Sequence, residues 1–172
     1  MTEKAATHFR IRPMTHTDLK RVLDWRNHPD VRRYMYTQNE ITSDEHQSWF
    51  ERTVQDARKH LLIFELDNQP LGFVNFSESK DSVADWGFYA APDAAKGIGR
   101  QLGKAALDHA FNELKLHKIC GQALSFNERS IKFHKTLGFQ QEGTLRDQHY
   151  DGEFYHHVIC FGLLSHEWTP KL

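Results

Sequence analysis

The residues best suited to chemistry lie in Pro92-Asp93-Ala94-Ala95-Lys96-Gly97-Ile98-Gly99-Arg100. This stretch follows an aromatic, apolar run, Trp86-Gly87-Phe88-Tyr89-Ala90-Ala91, and leads into a helix-forming run at 101–116. The glycines therefore sit at a strand-to-helix junction. A helix start offers unpaired N–H groups and the positive end of a dipole. Glycine lets a ligand approach the backbone and admits φ > 0. With Lys96 and Arg100 alongside, residues 95–100 form an anion cradle suited to a phosphate or pyrophosphate. The plain alternative is a glycine turn with no ligand.

Two further residues interrupt apolar faces. Thr15 or Thr17 can cap a helix at 18–27, whose stripe runs Leu19, Val22, Leu23 and then Arg26. Arg26 is either an arginine snorkelling at the core edge or an anion ligand lining a cleft. Thr42-Ser43-Asp44-Glu45 is a capping box opening a helix expected at 43–58, with Trp49, Phe50, Val54 and Ala57 inward. His46 falls on that same face, as a packed core histidine or a ligand. His28-Pro29 breaks the first helix, and an Arg- and Tyr-rich stretch at 31–36 follows it.

The elements that must position these residues read in order. A first strand ends at Pro13. Residues 61–66 and 71–79 make a hairpin about the turn at Asp67-Asn68-Gln69-Pro70. A strand at 83–91 places Trp86, Phe88 and Ala90 on one face and Asp85, Gly87 and Tyr89 on the other. The helix after Gly99 buries Leu102, Ala105, Ala106, Ala110 and Leu114. A strand at 118–126 follows, and Asn127 caps a short helix at 128–137 that Gly138 ends. Strands at 139–150 and 154–164 are joined at Asp151-Gly152, a type I′ signal. The order predicts a single α/β (α+β) domain over 1–172: a mixed, mostly antiparallel sheet of about seven strands, flanked by about four helices.

Composition narrows the class. At 172 residues with 39% hydrophobic content, one buried core is expected. The charge is nearly balanced, 22 Lys+Arg against 23 Asp+Glu, which argues against a general nucleic-acid or membrane-surface binder. No apolar run approaches the ~20 residues of a membrane span. Residues 1–8 are polar and lack the apolar segment of a signal peptide, so a cytoplasmic location is expected. Cys120 and Cys160 are expected as buried, reduced thiols. The 12 histidines are scattered and form no zinc-protease spacing, so no metal site is expected.

Two motifs resemble the GCN5-related N-acetyltransferase (GNAT) family. Lys96-Gly97-Ile98-Gly99 is similar to the end of its Q/R-x-x-G-x-G/A acyl-CoA loop. Asn127-x-x-Ser130-Ile131-x-Phe133-His134-x-x-Leu137-Gly138-Phe139 is similar to its N-x-x-S/A-I-x-F-Y-x-x-x-G-F helix. The sequence departs from the pattern twice: Ala94 stands where the loop has Gln or Arg, and His134 where the helix has tyrosine. The resemblance implies acetyl-CoA as co-substrate, without a metal. Its pyrophosphate would lie on residues 95–100, and its pantetheine arm along 86–91 and against Asn127, Ser130 and Phe133. A backbone N–H at Phe88 or Tyr89 would polarise the thioester carbonyl, and His134 would protonate the departing thiolate.

The N-terminal third carries a narrower likeness. Trp25-Arg26-Asn27, Val31-Arg32, Met35, Ile41, Glu45-His46-x-x-Trp49 and the tail Tyr150-Asp151-Gly152 with Phe161-Gly162-Leu163 and Glu167-Trp168 resemble the sugar-nucleotide acetyltransferases of pseudaminic acid biosynthesis, a sugar used in flagellin glycosylation. That implies acetylation of the 4-amino group of a UDP-linked 4-amino-4,6-dideoxy aminosugar, a small-molecule partner. Arg26, Arg32, His46 and Lys80 are then candidates for the UDP, and Trp49 or Trp86 for the apolar 6-methyl group. Ser77 or Asp85 would hold a water chain to the amine, with Glu78 the alternative base. A homodimer is the assembly this likeness leaves open. The competing readings are a GNAT enzyme acting on a protein N-terminus or another small amine, and a non-catalytic acyl-CoA-binding module.

Overall fold

The computed structural model describes residues 7–169. The polar N-terminal stretch read above falls largely outside the described residues. Seven strands form one sheet: β1 (Phe9–Pro13), β2 (Lys59–Leu66), β3 (Gln69–Glu78), β4 (Val83–Ala90), β5 (Lys118–Leu124), β6 (Gln140–Tyr150) and β7 (Tyr155–Leu164). Their order is β1-β2-β3-β4-β5-β7-β6. Every neighbouring pair is antiparallel except β4–β5. The helices are α1 (Leu19–Asn27), α2 (Pro29–Arg32), α3 (Ser43–Thr53), α4 (Ile98–Asp108) and α5 (Glu128–Leu137). This is the GNAT-type mixed α/β architecture expected. No helix among the described residues is long and apolar enough to cross a membrane.

The sheet divides two cores. On one face α4 and α5 cover Phe64, Phe76, Trp86, Ile119, Phe161 and Leu163. On the other, α1 and α3 cover Leu61, Ile63 and Phe73 with Val22, Trp25 and Phe50. Local chemistry sets the helix ends. Thr42 Oγ1 accepts the Glu45 N–H at 3.2 Å while Glu45 Oε2 accepts the Thr42 N–H at 2.8 Å, so two free donors at the start of α3 are satisfied reciprocally. Asn127 Oδ1 caps α5 through the Ser130 N–H at 3.1 Å, and Gly138 closes it at φ +98°.

Three local expectations are corrected. The third helix stops at Thr53, short of 58. Asp56 Oδ1 takes the Arg58 N–H at 2.9 Å, an alternative to the helical ladder, and Val54 is left exposed. In α4 and the π-helical turn after it, Leu102, Ala106 and Ala110 are buried as expected, while Ala105 and Leu114 are only partly so. Asp151-Gly152 is not a two-residue type I′ turn. Only Gly152 is left-handed, and Asp151 Oδ1 accepts both the Glu153 and the Phe154 N–H at 2.8 Å, making a four-residue loop. The paired left-handed residues of a type I′ turn occur instead at Asp67 (φ 49°) and Asn68 (φ 64°), between β2 and β3.

Candidate active site

The one parallel junction is also the shortest. β4 and β5 pair only at Val83↔Lys118, Ala84↔Ile119 and Asp85↔Cys120, and then part. Residues 86–90 of β4 are left with one free backbone edge. The ladder with β3 shows which amides face it. Ser79 N–H binds Val83 C=O and Ala91 N–H binds Leu71 C=O, both at 2.8 Å. Odd-numbered residues of β4 thus bond β3, and even-numbered ones point their N–H and C=O away. The Phe88 N–H faces the gap and the Tyr89 N–H faces β3. The parity resolves the pair left open by sequence: of the two amides, only that of Phe88 can reach a ligand between the strands.

The glycine loop stands at the open end of that gap. Gly97 is left-handed (φ +96°) and caps α4. A Cβ at Gly97 or Gly99 would meet nothing within 4 Å, so both backbones lie open. No backbone carbonyl accepts the Gly99 or Arg100 N–H, whereas the Ile98 N–H binds Ala95 C=O at 3.2 Å. Ala95, Lys96 and Arg100 are exposed around them, and Ile98 is buried as the anchor. These groups fit a pyrophosphate: free amides, two cations, and no side chain in the way. Phe133 lies beside the gap, 4.9 Å from the Phe88 ring, and Ser130 lies one helical turn before His134.

His134 is placed differently from the expectation, and its role is corrected. It is 1% exposed, enclosed by the rings of Trp86, Phe88, Phe133, Phe139 and Phe161. Its Nδ1 lies 2.8 Å from Ser130 C=O, which can only accept, so Nδ1 carries the proton. Its Nε2 lies 3.1 Å from Trp86 Nε1, which can only donate, so Nε2 offers its lone pair. Burial holds its pKa below the ordinary value; the Ser130 bond opposes this only in part. A neutral imidazole with both nitrogens engaged has no proton for a thiolate.

The four other residues expected on the substrate side fall in different places. Trp86 is buried on the α4–α5 face, stacked at 5.2 Å on Phe139, and cannot flank an acceptor on the other face. His46 is 5% exposed and stacks on Trp49 at 5.2 Å, and its Nε2 is buried without a partner, as Arg26 Nη1 is. Trp49 itself packs edge-on to Phe73 at 6.2 Å. Lys80 is exposed at the β3–β4 turn, the far end of β4 from the glycine loop.

Arg26 and Arg32 do come together at the α1–α3 face of β4. Arg26 Nη2 donates to Thr37 C=O at 2.8 Å, while Nη1 is buried without a partner. The charged and polar groups acting on Arg26 are Tyr89 and Arg32, and burial lowers its pKa. Among the described residues no carboxylate pairs with it. The Tyr89 ring packs on Phe73 at 5.2 Å on this face, its own pKa raised by burial. Sequence reading missed three neighbours. Tyr36 Oη donates to Gln122 Oε1 of β5 at 2.7 Å, and the Tyr36 ring sits 5.1 Å from His149 of β6, whose Nε2 is buried and unpartnered. The one local signal was the Tyr-rich stretch at 31–36. A surface hollow of about 400 Å³ lies on the outside of α5 around Lys132 and Lys135. Cys120 and Cys160 are free and half-buried, and no cluster among the described residues could hold a metal.

An open glycine loop beside a gap between two parting strands is the frame this chain shares with a class of acyltransferases, the N-acetyltransferases. Residues 8–140 match the Acetyltransferase (GNAT) domain family. Acetyltransferase PseH of Campylobacter jejuni subsp. jejuni serotype O:23/36 (strain 81-176) is 30% identical over 144 residues, 83% of this chain and 85% of that protein. Spermidine N(1)-acetyltransferase of Escherichia coli (strain K12) is 24% identical over 170 residues, 97% of this chain and 91% of that protein. The crystal structure of spermidine N-acetyltransferase from Vibrio cholerae in complex with CoA and spermine has the same fold, with a TM-score of 0.85 at 22% identity, covering 92% of this chain and 96% of that one. The chain belongs to the GNAT acetyltransferase family and is an N-acetyltransferase.

Proposed function

We propose that this enzyme transfers the acetyl group of acetyl-CoA to the 4-amino group of a UDP-linked 4-amino-4,6-dideoxy aminosugar. Residues 95–100 hold the pyrophosphate on free amides and on Lys96 and Arg100. The Phe88 N–H donates to the thioester oxygen, where negative charge develops as the amine attacks. The new C–N bond forms and the C–S bond breaks. The ammonium proton leaves to solvent on the α1–α3 side, and the thiolate takes its proton from that side rather than from His134. Placement of the amine against the carbonyl carries much of the rate, because oriented reactants avoid the entropy of encounter.

The observation that carries the acceptor assignment is the buried, unpartnered Nη1 of Arg26, with Arg32 beside it and no carboxylate paired to it. A half-buried guanidinium with one nitrogen held by Thr37 C=O and another buried and unpaired is stabilised when a ligand supplies an anion. A diphosphate supplies one. A polyamine or a peptide amine would bring a second cation to the same place, so the acetylation of spermidine that some relatives' names record fits these arginines poorly. The likeness to PseH points the same way.

The test is thiol release from acetyl-CoA with a UDP-4-amino-4,6-dideoxy sugar, spermidine and an N-terminal peptide offered separately. Arg26→Ala is expected to raise KM for the UDP-sugar roughly 10- to 100-fold, the range for losing a hydrogen bond to a charged group. KM for acetyl-CoA should stay within about twofold of wild type. Turnover of spermidine alone, or equal losses for both substrates, would refute the nucleotide-sugar reading.

A further inference from the structure

We infer that the Trp86–His134 hydrogen bond is a clamp that fixes where β4 and β5 part, and so positions the Phe88 N–H for acetyl transfer. The inference rests on the assignment of that N–H to the thioester carbonyl. Trp86 is the first residue of β4 beyond the last paired position, Asp85↔Cys120, and Gly121 is its counterpart on β5. The bond lies directly over Gly121. A Cβ there would stand 2.5 Å from His134 Nε2 and 2.8 Å from Trp86 Nε1, so only glycine leaves room for the pair. At this one point β4, β5 and α5 are tied together: the indole belongs to β4, the imidazole to α5, and both rest on β5. Phe88 follows Trp86 by two residues, and their side chains share a face with ring centroids 4.6 Å apart. A shift of the indole is therefore passed to the segment that carries the amide.

The clamp is single-handed in its chemistry. Ser130 C=O holds the proton on Nδ1 at 2.8 Å, which forces Nε2 to be the acceptor. An imidazolium would aim a second N–H at the indole N–H, breaking the bond. The groups around His134 are Trp86, Phe88, Phe133, Phe139 and Phe161, with the Ser130 hydroxyl at 3.5 Å; none of them is charged. The position that a family tyrosine occupies has thus become structural: it holds the fork. His134 is a positioning residue here, acting through Trp86.

Single-residue and paired variants separate this from acid catalysis. Trp86→Phe and His134→Phe should each lower kcat by roughly 10- to 100-fold, the scale for a small misplacement at a reacting centre, with KM for acetyl-CoA within about threefold. The double variant should be no worse than the poorer single one, because both remove the same bond. His134→Gln, whose side-chain carbonyl can accept the indole N–H, should recover most of the loss. The pH–rate profile should keep its shape in all of them. Each rate is read relative to wild type with the UDP-aminosugar and again with spermidine, so failure of the acceptor assignment stays distinct from failure of the clamp. An unchanged kcat in His134→Phe, additive losses in the double variant, or an acidic limb lost only with His134 would overturn the inference. Should the phenylalanine variants not fold, ¹⁵N-histidine spectra of the wild-type enzyme decide: at the pH of maximal activity His134 should be the neutral Nδ1–H tautomer, and an Nε2–H tautomer or an imidazolium there would refute the clamp.

Discussion

Two arginines on the same face of the sheet have opposite surroundings. At the edge, Arg12 Nε donates to Glu65 at 2.6 Å and its Nη1 and Nη2 donate to Asp18 at 2.7 and 2.9 Å. Asp18 is 1% exposed, and Arg12 is held above its usual pKa by that carboxylate. At the centre, beside β4, Arg26 keeps one nitrogen buried and unpartnered, and burial pushes its pKa down. The first arrangement joins β1, β2 and the turn before α1 into one body. The second leaves the protein's own electrostatics incomplete. A satisfied buried charge serves the fold, and an unsatisfied one beside the reacting strand marks where a ligand's charge belongs.

The largest effect is expected at the satisfied site. Arg12→Met leaves buried Asp18 with only the longer contact to Arg21 at 3.5 Å and takes the cation from Glu65. Breaking a buried pair costs about 3–5 kcal/mol, and the lower end applies because Arg12 keeps 19% of its side chain exposed. A fall in Tm of about 10 °C follows for a domain of this size. The pH dependence has a definite sign. Burial raises the Asp18 pKa, but the Arg12 bond and the Thr15 amide outweigh it, so the folded value lies below the unfolded one. Its contribution is therefore complete above about pH 4 and disappears as pH falls through the folded pKa. Urea unfolding should show the Arg12→Met deficit greatest near pH 7 and shrinking on acidification. A deficit that grows with acid would reverse this account.

Arg26→Met should behave oppositely. It loses the bond to Thr37 C=O but also relieves a buried, unpaired charge. These offset, so stability should move by no more than about 1 kcal/mol while affinity for the UDP-sugar falls as described for Arg26→Ala. Thermal unfolding with and without UDP checks it: UDP should raise the Tm of the wild-type protein and leave the variant unmoved. A large destabilisation of the variant, or equal shifts in both proteins, would make Arg26 a structural residue like Arg12.

Much of this contrast was legible in sequence, and the limits have physical causes. The Thr42 box, the Asn127–Gly138 helix and the glycine loop were readable because each depends on chemistry within a few residues. Arg26 stood out because it broke an apolar stripe. His46 broke one too and, like Arg26, keeps a buried, unpartnered nitrogen while it stacks on Trp49, so a broken stripe alone does not separate packing from ligation. Tyr36 and Gln122 meet across 86 positions, and His149 arrives on a strand whose register slips twice against β7. No local pattern encodes such meetings. Trp86 was placed with Phe88 and Ala90 on one face of β4, but that this is the face covered by α4 and α5 depends on long-range packing. The short α3 was lost to a single Asp56 side chain.

Arg32 lies between the two extremes and yields the smallest effect. Its Nη1 stands 3.6 Å from Glu40, with 29% and 71% of the two side chains exposed. Such a pair contributes about 0–1 kcal/mol to folding, so Glu40→Gln should leave Tm within about 2 °C of wild type. The same change frees Arg32 and removes the negative charge 3.6 Å from it. If the acceptor carries a diphosphate there, KM for the UDP-sugar should fall by up to about threefold, the scale of one exposed pair, and the gain should fade with added salt because these charges are screened. KM for acetyl-CoA, bound at the glycine loop, should not change. A rise in KM for the UDP-sugar would mean that Glu40 itself serves the acceptor. The central arginines would then belong to the same satisfied class as Arg12, and the distinction between the two regions would fail.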